Sequence, residues 1–282
     1  MTLHIDGWRY YNHAMIPTCA PHEEPNLTPI KNGDIWKKTT GGRKPLLARW
    51  TADFDCGEET NWWYTVRFGP FCLEELSRSS RKHIRQALKR CSVERISASQ
   101  NLEQMYRVYR SAFEKYENAD NEVEYKRFCQ GCISSEKSGC EYWGGYDRQT
   151  GLLIGYMVLR PYVDYVELQT AKFVPQFLNL GISAALYCSV LDFYLNSLGK
   201  KYISSGNRSI NHKTKTEEYK IRHFGYRRAY CRLHIVYSPW MELVVKMLYP
   251  FRKLLVQLDG NTRIHQVNAV LKMEEIVRNE EK

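Results

Sequence analysis

The chain has 282 residues, is 43% hydrophobic and carries a formal net charge of +10 at pH 7. That length holds one large domain or two modest ones around a real core, and the apolar share excludes a mainly disordered chain. The positive surplus suits phosphate-bearing partners such as nucleic acid, anionic lipid or a phosphorylated cofactor; a merely solvated basic surface is the alternative.

Nine cysteines, an odd number spread over the whole length, do not form a dense disulfide scaffold. Met1–Asp6 shows no basic segment followed by an apolar run, and no stretch approaches the roughly 20 apolar residues of a membrane span. A cytoplasmic protein with free thiols is expected. Cys129-x-x-Cys132 with Cys140 is not completed to a zinc set by a second pair, so no metal is expected.

Residues 1–45 read as loop-rich, with Pro17, Pro21, Pro25, Pro29, Pro45 and the turn Gly41-Gly42. Within them, Trp8–His13 reads as an aromatic, polar arm or cleft lining. Strands are predicted over Leu46–Thr51 and Trp62–Phe68. An amphipathic helix follows over Leu73–Arg90, with Arg78, Arg81, Lys82, Arg85 and Lys89 in one stripe opposite Leu73, Leu76, Ile84, Ala87 and Leu88. The stripe reads as a substrate-binding anion site at Arg78, Arg81, Lys82 and Arg85, or as a solvated face.

From Cys91 the elements alternate. A strand at Ser92–Ile96 precedes helices at Leu102–Tyr116 and Glu122–Ser134. Strands at Glu141–Tyr146 and Leu152–Arg160 join through the hairpin turn Asp147–Gly151. A strand at Tyr165–Val174 stops at Pro175, and a helix runs over Gly181–Leu198. Strand Tyr202–Ser205, helix Thr216–Phe224 and strand Arg228–Tyr237 complete the series. The antiparallel hairpin makes this a mixed α/β (α+β) sheet, and no G-x-G-x-x-G opens a dinucleotide fold. After Pro239, Trp240–Leu255 combines apolar and basic residues as an interfacial helix does, but Pro250 interrupts it and favours a packed C-terminal helix pair.

The order of elements, with Val174-Pro175-Gln176-Phe177-Leu178-Asn179-Leu180-Gly181-Ile182-Ser183-Ala184-Ala185-Leu186 between a strand and a helix, resembles the GNAT superfamily of acyl-CoA N-acyltransferases. In that family the stretch is a pyrophosphate-binding turn of type [Q/R]-x-x-G-x-[G/A]. Gly181 matches its main glycine, Leu178 stands where Gln or Arg is usual, and Ser183 where Gly or Ala is usual. The resemblance implies donor binding by Phe173, Val174, Leu178, Asn179, Leu180, Gly181, Ile182 and Ser183, through N–H groups freed at a helix N-terminus. Trp62–Phe68, the helix through Arg78–Arg85, and Glu218–Tyr226 with its terminal Phe224-Gly225 further resemble the FemABX-like branch, whose members move amino acids from aminoacyl-tRNA to peptidoglycan precursors. It implies an abbreviated N-terminal half-unit over 1–90, a GNAT-like transferase domain over 91–240 and a helical extension over 241–282.

Amine acylation needs a neutral amine, a polarised carbonyl and a proton for the leaving group. Glu167, inside an apolar strand, is the candidate general base, or else one half of a structural ion pair. The family's general-acid Tyr would fall at Ile221; Tyr219 is the nearest substitute, and Asn207 and His212 follow the strand ending at Ser205. The resemblance therefore implies a transferase using acyl-CoA or aminoacyl-tRNA on an amine of a small molecule or cell-envelope precursor; the residues of Trp240–Leu255 add peripheral membrane contact through the C-terminal helix as an alternative to the packed pair. The other class left open is an inactive GNAT-like module that binds an anionic ligand.

Overall fold

The computed structural model describes residues 4–5, 7–37, 44–113, 122–210, 215–258 and 262–280. In chain order the elements are β1 (His4–Ile5), β2 (Trp8–Tyr11), β3 (Ala14–Pro17), α1 (Thr28–Lys31), β4 (Leu47–Ala52), β5 (Trp62–Phe68), α2 (Arg78–Arg90) and β6 (Cys91–Ile96). Then come α3 (Leu102–Phe113), α4 (Tyr125–Lys137), β7 (Glu141–Asp147), β8 (Leu153–Pro161), β9 (Tyr165–Phe173), α5 (Ile182–Leu191) and β10 (Tyr202–Asn207). The series ends with α6 (Lys215–Phe224), β11 (Arg227–Tyr237), α7 (Pro239–Leu248), α8 (Arg252–Gln257) and α9 (Thr262–Glu280). The chain divides into two compact units, one of Met1–Tyr64, Asn207–Lys213 and Arg228–Lys282, the other of Thr65–Gly206 and Thr214–Arg227.

The second of these units is a mixed sheet between helical layers. β6, β7, β8 and β9 run antiparallel in sequence, and β10 joins β9 in parallel. On one face α5 is buried almost all round, with Ile182, Leu186, Val190 and Leu191 between 0% and 2% exposed. Its partners include Ile84 and Ala87 of α2, Val166 of β9 and Ile203 of β10. Each such aliphatic side chain stabilises by about 1.5–3 kcal/mol. Gly145 and Gly155 have no side chain in the space that Ile182 and Leu186 fill, which brings α5 close to the sheet. The opposite face packs Met105 and Val108 of α3 and Cys132 of α4 on Tyr142, Tyr156 and Val158.

Three local features differ from the sequence reading. The helix expected over Leu73–Arg90 begins at Arg78; Leu73–Glu75 is a separate 3-10 turn. Ser77 caps the helix, its hydroxyl accepting from the Ser80 N–H at 3.2 Å, and such a cap contributes about 1 kcal/mol. The helix expected to reach Leu198 gives way after Leu191 to a π turn over Asp192–Ser197. The N-terminal arm is a β-hairpin in which β2 and β3 pair from Trp8–Pro17 to Tyr11–Ala14. Asn12 and His13 make its turn at φ 44° and 65°. Trp8 is fully buried with Ile5, Met15, Ile35 and Ala48, its indole donating to the Asn26 carbonyl at 2.8 Å.

The hairpin belongs to the other unit, where β3 continues in parallel to β4 and β4 pairs antiparallel with β11. There α9 packs Met273 and Ile276 on Trp62, Cys231 and Leu233, and Leu271 meets Met241 and Val245 of α7. All nine cysteines are free thiols, and Cys91, Cys132, Cys140, Cys188 and Cys231 are buried. Burial pushes Cys132 and Cys188 up to about 11 and Cys231 up to about 12. Among the described residues, no helix is long and apolar enough to cross a membrane, and no group of three His, Cys, Asp or Glu residues is placed to hold a metal ion.

Candidate active site

After Phe173 the chain leaves β9, the Val174 N–H bonding back to the Ile154 carbonyl at 2.9 Å. Pro175–Leu180 winds in 3-10 turns and Gly181 takes the left-handed conformation, φ 83°, as N-cap of α5. The first backbone bond of the helix is Ala185 N–H to Gly181 O, so the N–H groups of Ile182, Ser183 and Ala184 precede the helical ladder. The turn is covered from one side by α2. A Cβ on Gly181 would lie 2.7 Å from Ala87 Cβ and 3.4 Å from His83 Cε1. Leu178 is 47% exposed. An arginine reaches the turn from α2 instead: Arg90 Nη1 donates to the Asn179 carbonyl at 3.5 Å, while the Cys91 thiol points at the Leu180 carbonyl.

Ser183 and Tyr219 meet at this turn, hydroxyl to hydroxyl, at 3.0 Å. Burial raises the Tyr219 phenol above its usual range, with the Ser183 bond opposing, so it stays protonated at neutral pH. His223, one turn on, pairs its Nδ1 with the Ser80 hydroxyl at 3.0 Å. Burial first, then Arg222 and His83, lower the His223 pKa, which favours neutral imidazole. Ser80 is only 1% exposed and also bonds Ser77, so this serine–histidine pair ties α2 to α6 away from solvent.

The sequence reading passed over Lys220. Its side chain is buried, and Nζ donates to the Ser205 hydroxyl at 2.7 Å; Ser205 in turn donates to the Thr65 carbonyl at 3.2 Å. Burial lowers the Lys220 pKa to about 8, with Glu217 pulling the other way. Ser205 lies where the sheet opens. β10 pairs with β9 only over Tyr202–Ser204 and Tyr165–Glu167, after which β9 continues to Phe173 along β8. The β8–β9 register shifts between Val158–Thr170 and Leu159–Leu168, leaving Gln169 as the bulged residue.

Glu167 is half-buried, accepts from Gln169 Nε2 at 2.8 Å and stands in register with Ser204. Successive strand residues alternate faces, so Ser205 and Lys220 occupy the other side of the sheet from Glu167. The structure therefore brings Gly181, Ser183 and Tyr219 together, adds Lys220 beside Tyr219 on α6, and sets Glu167 across the sheet. Asn207 is exposed at the end of β10 and belongs to the other compact unit; His212 lies outside the described residues.

The basic stripe lies apart from this turn. Arg78, Arg81, Lys82, Arg85, Gln86 and Lys89 line a depression of about 420 Å³. It occupies the face of α2 opposite Ile84 and Ala87, so it does not point at Gly181. Arg81 Nη1 also donates to the Glu74 carbonyl at 2.7 Å.

No protein-family model matches the chain, and no curated protein does. Solved structures do. FemX aligns at 10% identity with a TM-score of 0.52, over 64% of this chain and 63% of its own, so the chain spans just under two thirds of FemX. The C-terminal domain of a proposed lysylphosphatidylglycerol synthetase from Agrobacterium fabrum aligns at 10% identity with a TM-score of 0.52, over 85% of this chain and 83% of that one. An acetyltransferase of the GNAT family from Bacillus anthracis aligns at 13% identity over 39% of this chain and 66% of its own, with a TM-score of 0.32. The chain has a GNAT-like, FemX-type mixed α/β fold, as the sequence resemblance implied.

Proposed function

We propose that the chain is an acyl- or aminoacyl-transferase that acylates an amine from a phosphate-bearing donor, either acyl-CoA or aminoacyl-tRNA. The observation that carries this reading is Lys220, a buried lysine bonded to Ser205 where two parallel strands part, one residue from the Tyr219–Ser183 pair at a helix N-terminus. In this reading the donor phosphates meet the N–H groups of Ile182–Ala184 and the hydroxyls of Ser183 and Tyr219. The acyl carbon lies in the opening between β9 and β10. The acceptor amine attacks that carbon, the C–S or C–O bond to the carrier breaks, and the proton lost from nitrogen goes to Glu167 or to water. The departing thiolate or alkoxide takes a proton from Lys220, whose pKa of about 8 suits donation near neutral pH.

The reading keeps the segments 1–90, 91–240 and 241–282 as half-unit, transferase domain and extension, and places the protein in the cytoplasm. The acceptor class is an amine on a small molecule or a cell-envelope precursor. A binding module without turnover is the second reading, favoured by Ala87 packed on the Gly181 turn and by Leu178 at the usual Gln or Arg position.

Mass spectrometry of ligand retained by the purified chain identifies the donor class. Transfer from CoA thioesters and charged tRNA to a panel of amines then separates the readings. The transferase reading expects product with the parent and at least a hundredfold less with Lys220→Ala. Tight binding of either donor with no transfer to any amine favours the binding module.

A further inference from the structure

The outer side of the α7–α8 segment exposes an unusual run of large apolar side chains. Trp240, Leu243, Met247, Phe251, Leu254 and Leu258 are each between 57% and 61% exposed. At about 100° per residue they fall within an arc of roughly 80°. Pro250 does not break the row. A single 3-10 turn over Tyr249–Phe251 joins α7 to α8, and Leu248, Tyr249 and Arg252 all keep helical backbone angles. The inner side is anchored, with Met241 and Val245 buried against Leu271 of α9. The apolar row is thus a fixed ridge, larger than the scattered apolar residues of an ordinary surface.

The charges beside the ridge select its partner. Pro239–Leu258 holds three cations, Lys246, Arg252 and Lys253, against one carboxylate, Glu242; Arg252 is paired with Glu275 of α9 at 3.0 Å, which leaves the two lysines to face a partner. Lys246 and Lys253 lie seven residues apart along the same flank, and both are exposed. Glu242 pairs with Lys246 at 2.7 Å, but this is a surface i,i+4 pair of little strength. A second copy of the chain packed about a two-fold axis would set these lysines near their own counterparts. An anionic bilayer takes up both features at once. Trp240 and Phe251 suit the boundary between headgroups and acyl chains, and the lysine stems can lie on apolar surface while their ammonium groups reach phosphates.

We propose that the α7–α8 ridge docks the protein on an anionic membrane surface, lying in the plane of the interface without crossing it. The proposal is independent of the transferase reading, because docking is measured without turnover.

The test is flotation of the full chain with vesicles of phosphatidylglycerol and phosphatidylcholine, and with vesicles of phosphatidylcholine alone, alongside light scattering of the lipid-free protein. The parent should float with the anionic vesicles and at least tenfold less with the neutral ones. Trp240→Ser with Phe251→Ser should lower partitioning at least tenfold with little change in melting temperature, since more than half of each residue is already exposed. Lys246→Glu with Lys253→Glu should weaken binding to anionic vesicles alone. Failure of the parent to float with anionic vesicles overturns the proposal, as does parent-like flotation of the Trp240/Phe251 variant. A dimer in light scattering that the same variant dissolves also overturns it, and assigns the ridge to a second copy.

Discussion

Gly181 and Ala87 share a space that holds only one methyl group. A Cβ on Gly181 would sit 2.7 Å from Ala87 Cβ, and the φ of 83° is one that other residues adopt only under strain. A left-handed non-glycine residue costs about 1–2 kcal/mol and overpacking typically about 1–3 kcal/mol. Gly181→Ala should therefore destabilise the chain by about 2–5 kcal/mol in denaturant titration. Ala87→Gly should recover part of this in the double variant, and strict additivity of the two changes would refute the contact. A bulky substitution at Gly181 consequently tests folding before it tests donor binding.

Lys220 gives a pH signature. Its folded pKa is about 8 against an ordinary 10.5, so between those values the unfolded chain holds more protons than the folded one. Stability contributed by this site must rise with pH across that window, and below pH 8 the burial penalty is present in full. Lys220→Met removes the penalty. The variant should be more stable than the parent at pH 7 by up to about 3 kcal/mol, at 1.36 kcal/mol per pKa unit, with the gap closing toward pH 10. Loss of the Ser205 bond offsets part of the gain. A gap that does not vary with pH would mean that the folded and unfolded chains share one Lys220 pKa, so that burial exacts no penalty on the charge.

In an active transferase, Lys220 and Glu167 should separate in their kinetics. Lys220 acting as a proton donor predicts that turnover falls above about pH 8. Lys220→Arg, which keeps the charge but does not release a proton in this range, should lower turnover at every pH. Glu167→Gln should lower kcat at least tenfold with little change in KM, the pattern of a group acting in the transition state. Unchanged turnover in the Glu167 variant would leave the carboxylate only its bond to Gln169.

The depression lined by Arg78, Arg81, Lys82, Arg85 and Lys89 should bind polyanions in a salt-dependent manner. Arg81→Glu with Arg85→Glu should weaken binding to tRNA and reduce the slope of log affinity against log salt by about 1–2, as two phosphate contacts would require. Filter binding at several salt concentrations measures this. A parent-like slope would reduce the stripe to a solvated face.

The element order after Cys91 was legible because burial imposes two periods that a sequence must display. Alternation marks β11, where Ala229, Cys231 and Leu233 are buried between more open neighbours, while the 3.6-residue spacing of Ser80, Ile84 and Ala87 marks the buried side of α2. The turn at Gly181 was legible through Pro175 and a glycine before an apolar run. The N-terminal hairpin was not, because Asn12 and His13 adopt positive φ where a glycine would have announced the turn. Lys220 was hidden for a different reason. In Glu217-Glu218-Tyr219-Lys220-Ile221-Arg222 it is one charge among several, and its burial depends on Ser205, which lies 15 residues away in another element. A weak cue existed: Lys220 lies one helical turn before the fully buried Phe224, on the face that packs inward.

The distribution of thiols gives the chain a built-in chemical clock. Cys91, Cys132, Cys188 and Cys231 are buried and held in the unreactive protonated form, while Cys19, Cys56, Cys72 and Cys129 are partly open to solvent. An alkylating reagent added to the native protein should modify the partly open set promptly and wait for structural opening to reach the rest. Because Cys91, Cys132 and Cys188 belong to one compact unit and Cys231 to the other, peptide mass mapping against time would report how often each unit breathes. A donor that tightens the turn at Gly181 would slow labelling at Cys91, whose sulfur faces the Leu180 carbonyl, and would leave Cys231 unchanged.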